Sequence, residues 1–183
     1  KFNLENCAIS EYNKRYFGDH ISSPEQIISN LAKYCYVLSW AIWRHDKPIN
    51  DIVFMDHGAG HGMLALLAKA SGIGCVIHND VYEQSSVDAK LIASDLELEA
   101  DYYLVGNVVE LSGLLKSNQL SCDAIASYDV IEHIYDIDGF FSNLGSLGTD
   151  GFSFFFASSA NPLNPRITNK IRRMHRRFER EDT

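Results

Sequence analysis

The chain has 183 residues, 46% apolar and 22% charged, with a formal net charge of −8. That length supports one domain with a sizeable core, and the composition excludes disordered and fibrous classes. No apolar run reaches the length of a membrane span, no secretory signal pattern opens the chain, and Cys7, Cys35, Cys75 and Cys122 form no C-x-x-C pair. The expectation is a cytoplasmic protein without a zinc or redox motif, its cysteines buried as free thiols.

The first twenty residues, with Tyr12, Tyr16 and Phe17, read as a loosely helical lead-in. Ser23-Pro24-Glu25-Gln26 is a helix start, with Ser23 as N-cap, Pro24 at the first helical position and Gln26 completing a capping box. Ile27, Ile28, Leu31, Tyr34, Cys35, Leu38 and Ile42 recur at helical spacing, so this helix is expected to run to about His45. Lys47-Pro48 ends it. Ile52-Val53-Phe54-Met55 is a first strand, Asp56 to Gly62 a glycine turn, and a helix follows to about Ser71. Further strands are predicted at 75–78 (ending at Asn79-Asp80), 102–105, 122–127 and 151–157. Helices are predicted at roughly 84–94, at 109–115 and within 129–147, with Gly148 in the turn after the last. This β-α alternation predicts an α/β fold, a doubly wound and mainly parallel sheet between two helical layers. The nearly all-apolar fifth strand suits a buried parallel position.

Asp56-His57-Gly58-Ala59-Gly60-His61-Gly62 carries the most information. Alternate glycines permit a tight turn and a close ligand approach, and at the first strand of a doubly wound sheet that ligand is nucleotide-like. A dinucleotide fingerprint needs glycine or alanine at 63, where this chain has Met63. Asp56 would also repel a pyrophosphate. S-adenosylmethionine has no phosphate and carries an ammonium and a sulfonium, which a carboxylate favours. Asp80 ends the second strand, where an acidic side chain can accept from both ribose hydroxyls or can cap the next helix. Asn107 ends the third strand, as an adenine contact or a turn residue. Asp129, Glu132 and His133 fall at i, i+3 and i+4, one face if helical, where they could serve as a general base, hold a divalent metal or simply tie the segment to its neighbours.

The strand-GxGxG-helix unit, the acidic end of the second strand and Asp129-Val130-Ile131-Glu132-His133-Ile134 after the fourth together resemble class I S-adenosylmethionine-dependent methyltransferases. The subgroup is the small-molecule one of methyltransferase types 11 and 12, similar to ubiquinone-biosynthesis O-methyltransferases, and the likeness covers roughly residues 50–160. Phe140 and Ser159-Ala160-Asn161-Pro162 fit the same pattern. The resemblance implies a Rossmann-like fold with S-adenosylmethionine as cofactor and a small-molecule methyl acceptor. It implies that Asp56, Gly58, Ala59, Gly60 and His61 form the methionine side of the site, that Asp80 and Val81 meet the ribose, that Asn107 and Val108 flank the adenine, and that Tyr128 lines the cofactor through its backbone. His133 and Asp129 are the catalytic candidates. No resident metal is expected, with Asp129, Glu132 and His133 the residues to watch. His57 is expected to be a neutral side chain packed beside the sheet. The last two strands of the family sheet have no pattern in this chain.

The expected organisation is one cofactor-binding domain over 1–160, with 161–183 a basic helical segment of the same domain. Residues 1–160 hold nine Lys/Arg against 21 Asp/Glu, and 161–183 hold seven against three. The acidic body argues against a nucleic-acid groove. Ile167, Ile171, Met174 and Phe178 make an apolar stripe within the basic segment 166–180, which suits a helix packed over the site or a peripheral membrane contact. Competing readings are an RNA or protein methyltransferase and a non-catalytic cofactor-binding or partner module of the same fold.

Overall fold

The computed structural model describes residues 8–158 and Arg173. The elements are α1 (Glu11–His20), α2 (Pro24–Ile42), β1 (Val53–His57), α3 (Met63–Ala70), β2 (Cys75–Asp80), α4 (Glu83–Asp95), β3 (Tyr102–Val105), α5 (Val108–Ser117), β4 (Cys122–Tyr128), α6 (Ile137–Leu144) and β5 (Gly148–Ala157). The amphipathic segment expected over 166–180 lies outside the described residues apart from Arg173, as do Cys7 and the 159–162 motif.

α2 begins as its sequence dictates. The Ser23 hydroxyl accepts from the Gln26 amide, the Gln26 side chain returns to the Ser23 N–H, and Pro24 opens the first turn. Two otherwise unpaired helix donors are thereby satisfied. Tyr34, Val37, Leu38 and Ala41 are its buried face.

The five strands among the described residues are all parallel, in the order β3-β2-β1-β4-β5. β1 is central, with Asp56 opposite His78 on one side and Ala126 on the other. The order reverses between β1 and β4, so the crevice at the carboxyl ends of these two strands is the topological switch point. On one face Val37, Leu38 and Ala41 of α2 pack with Leu64 and Ala68 of α3 over Phe54 and Val76. On the other, Leu111 and Leu115 of α5 pack over Met55, Ile77 and Ile125. Phe54, Met55, Ile77 and Ile125 are fully buried, each worth roughly 2 kcal/mol of apolar burial. At the opposite end of the sheet, buried Asp123 accepts from Lys47 Nζ (2.6 Å), the Val53 N–H (3.0 Å) and Thr149 Oγ1 (3.2 Å).

Four expectations need correction. β5, expected in a buried parallel position, is the edge strand of the described sheet and none of its residues is fully buried. Gly148 lies in β5, not in a turn before it. The strand takes up extra residues at a register shift, Cys122 pairing with Gly148 and Ala124 with Ser153, as a bulge does. Asp129, Glu132 and His133 do not share a helix face. Asp129 has φ of +57°, which breaks the chain direction, and only Ile131–His133 form a 3-10 turn. Finally, Cys35 is an exposed thiol on α2, whereas Cys122 is buried and Cys75 half-buried.

Candidate active site at the switch point

Gly58, Gly60 and Gly62 have φ of +69°, +52° and +79°. This left-handed path carries the chain from β1 into α3 with little steric cost only for glycine. A Cβ at Gly58 would stand 2.4 Å from Val130 Cγ2, so the turn after β1 lies directly against the loop after β4. A Cβ at Gly60 would meet nothing within 4 Å, so that side of the turn is open. Gly58→Ala is expected to lower stability by about 2 kcal/mol, from strain plus displacement of Val130, and urea unfolding measures it. The same substitution at Gly60 should cost less, having only the backbone term.

Two buried carboxylates hold the turn. Asp80, 6% exposed, accepts the Gly60 N–H at Oδ2 (2.8 Å) and the Tyr82 N–H at Oδ1 (2.9 Å). The N-cap of α4 is Tyr82, so the sequence alternative of Asp80 as a helix cap gives way to a loop tie. A carboxylate offers about four acceptor sites, which leaves Asp80 capacity for a ligand diol. Asp56, 3% exposed, accepts the Ala65 N–H at 3.1 Å. Because Gly62 gives α3 no side-chain cap, Asp56 supplies one from the preceding strand. Burial pushes the Asp56 carboxyl up to about 7, opposed by the Ala65 hydrogen bond and reinforced by Asp80.

Three histidines surround the turn, and burial pushes each one's pKa down. Asn79 Nδ2 donates to the Leu104 and Gly106 carbonyls, so its Oδ1 accepts from His57 Nδ1–H at 2.6 Å. His57 packs against Phe140 as a neutral ring beside the sheet. His78 Nε2–H donates to the Gly60 carbonyl at 3.1 Å, clamping the turn from below. His61 Nδ1 accepts the Met63 N–H at 3.3 Å while its ring lies 4.7 Å from Tyr16 and 5.4 Å from Phe17 of α1. Its pKa falls to about 4, by burial first and then by His78 and His20. The unfolded chain takes up this proton near pH 6.5 and the folded chain only near 4, so stability is lost as pH falls through that window. His61→Phe, which keeps the ring contacts, should gain about 2–3 kcal/mol relative to wild type between pH 7 and pH 4, measured by urea unfolding at each pH.

α1 and α2 roof this end of the sheet. The Tyr16 ring lies 4.7 Å from His61, and the Tyr34 ring meets Tyr128 edge-on at 5.6 Å. α1 is held by Asp88 of α4, which accepts from the Ser10 N–H (3.1 Å), the Ser10 hydroxyl and Asn13 Nδ2 (2.7 Å).

Asn107 caps α5, its Oδ1 accepting from Val109 and Glu110 N–H. Val108 is half-buried and Val81 exposed beside it at the ends of β3 and β2. Thus the strand ends gather Asp56, Gly58, Ala59, Gly60, His61, Asp80 and Tyr128 at the switch point, with Val81, Asn107 and Val108 at its β2–β3 side. His133 is exposed, and among the described residues no three His, Cys, Asp or Glu side chains gather as a metal site. Sequence reasoning missed Asn79, His78, Tyr16, Tyr34 and Val130. A signal was available for the first two, since His78-Asn79-Asp80 is a polar run inside a strand buried on both faces.

No protein-family model matches the sequence, and no curated protein matches it. Solved structures do. PH0226 protein from Pyrococcus horikoshii OT3 aligns at a TM-score of 0.62 and 17% identity over 82% of this chain and 67% of its own. Magnesium protoporphyrin IX methyltransferase from Synechocystis PCC 6803, with bound SAH, aligns at 0.57 and 17% over 83% and 67%. Ribosomal protein L11 methylase from Lactobacillus delbrueckii subsp. bulgaricus aligns at 0.53 and 19% over 73% and 63%. The chain has a Rossmann-like methyltransferase fold. It spans 63% of the length of the L11 methylase and 67% of the other two.

Proposed function

We propose that this chain is an S-adenosylmethionine-dependent methyltransferase acting on a small-molecule acceptor. The observation that carries the reading is the open side of Gly60 beside the buried, twice-tied carboxylate of Asp80. The residues fit the cofactor. Asp80 keeps acceptor capacity for the ribose, the turn admits close approach at Gly60, and Asp56 is a buried carboxylate with no cation beside it among the described residues, which a cationic ligand would hold ionised. When bound, S-adenosylmethionine supplies an activated methyl group. Asp56, Gly58, Ala59, Gly60 and His61 would hold its methionine side, Asp80 and Val81 its ribose, Asn107 and Val108 its adenine, and Tyr128 its flank.

Positioning supplies much of the rate in such a transfer. Tyr16, Tyr34 and Tyr128 exclude water above the crevice. His133 and Asp129, on the loop after β4, are the proposed groups for removing a proton from a hydroxyl acceptor. The same region argues against a nucleic-acid substrate, since 117–165 contain no Lys or Arg. Calorimetric titration with S-adenosylmethionine and S-adenosylhomocysteine tests the reading. Micromolar binding is expected; a folded sample that gives no heat with either overturns it. Release of S-adenosylhomocysteine in the presence of an acceptor then separates a catalyst from a binding module.

A further inference from the structure

We infer that Glu132 anchors the methyl acceptor and that the acceptor carries an amine, whose ammonium donates a hydrogen bond to Glu132 Oε2. This rests on the methyltransferase reading and gives it a substrate class.

The starting point is an orphaned atom. Glu132 Oε1 accepts from the Ser158 hydroxyl at 2.8 Å, whereas Oε2 is buried without any hydrogen-bond partner. Buried polar atoms are nearly always paired, and an ionised oxygen left unpaired away from water is costly. Something with a hydrogen to donate belongs there.

Its place in the fold says what that donor is for. Val130 presses on the glycine turn at Gly58, and Glu132 follows two residues later in the same loop. The Asp129 N–H donates to the Ala157 carbonyl at 2.9 Å, and Ser158 leaves the end of β5. Glu132 is therefore fixed between the carboxyl ends of β4 and β5, next to the cofactor turn. An acceptor must occupy a position adjacent to the cofactor, and a hydrogen-bond acceptor held from two strand ends is a rigid place to orient it.

Charge selects an amine. Residues 129–138, the loop after β4 and the start of α6, contain Asp129, Glu132, Asp136 and Asp138 and no Lys or Arg. Burial first, then Asp129, Tyr16 and Glu132 in that order, push the Tyr128 hydroxyl's pKa up. A cation is drawn into such a region and a carboxylate or phosphate is repelled. A divalent metal is a poorer fit, because no third ligand gathers among the described residues.

The test is a titration of the 15N-labelled full chain at pH 7.5, saturated with S-adenosylhomocysteine. n-Butylammonium chloride and sodium butyrate are added at matched ionic strength, and the backbone resonances of Glu132 and Ser158 are followed. Butylammonium should give saturable shifts with a dissociation constant on the order of millimolar, as a five-atom ligand permits, and butyrate should give none. Glu132→Gln keeps a carbonyl for Ser158 and should weaken butylammonium at least about fivefold, as loss of a charge-assisted hydrogen bond predicts. Equal response to the two probes, no response to butylammonium, or unchanged affinity in the variant overturns the inference. Should the variant fail to fold, the ammonium-over-butyrate preference of the wild-type chain still decides it. Calorimetric silence toward S-adenosylhomocysteine would sink the methyltransferase reading instead, and titration without it then shows whether the amine site stands alone.

Discussion

Asp80→Ala should weaken S-adenosylhomocysteine binding by more than about tenfold while the sheet stays folded. The carboxylate is tied to Gly60 on one oxygen and Tyr82 on the other. Its removal therefore acts twice on the proposed site. The ribose loses charge-assisted hydrogen bonds, worth about 1.5–3 kcal/mol each, and the glycine turn loses the partner that fixes its open face. Asp80→Asn distinguishes the two effects. It keeps an oxygen for one backbone amide, so much of the turn's order should return without the charge. Calorimetry on the three proteins, with circular dichroism as the folding control, reads the result. An unchanged affinity in the alanine variant would reduce Asp80 to a loop tie.

Asp56→Asn should pull stability and binding in opposite directions. In the free protein, burial raises the Asp56 carboxyl to about 7. The unfolded chain loses that proton near pH 4, so the folded state binds it more tightly and stability falls as pH rises from about 4 through 7. An asparagine still offers an oxygen to the Ala65 N–H but carries no charge. The variant should match the wild type near pH 4 and exceed it by about 2–4 kcal/mol at pH 8. The same change should weaken S-adenosylmethionine binding, because the cationic ligand loses its buried counter-charge. Urea unfolding across pH and calorimetry at pH 8 measure the two halves. A variant no more stable than wild type at pH 8 would show that Asp56 is not held against its own ionisation. Such a trade between stability and activity is common where a site needs an unfavourable group.

The sheet was readable because its strands are short apolar runs punctuated by glycine, asparagine and aspartate, and because Ser23, Pro24 and Gln26 mark a helix start that local chemistry alone enforces. The capping box and the third strand appear where the pattern puts them. The loop after β4 was misjudged for a physical reason. Asp129, Glu132 and His133 have helical spacing, but spacing does not reveal that Asp129 adopts a positive φ. β5 begins early because a bulge absorbs residues that local pattern assigns to a turn. At the site, Asp56 and the glycines were legible from composition and order. The contributions of Asn79 and Val130 were not, since each depends on a partner brought by tertiary packing: His57 across the strands in one case, Gly58 across the crevice in the other.

The strand order also governs when the protein can fold as it is synthesised. β1 sits at the centre, yet its two neighbours lie at 75–80 and 122–128. A nascent chain can pair β1 with β2 early, but the other edge of β1 has no strand partner until Ala124 and Ile125 emerge. Such non-local parallel pairing is slow and leaves apolar strand exposed while it waits. The ribosome-bound chain should therefore carry β1 with one edge unpaired until β4 emerges, the stretch over which a chaperone has the most to shield.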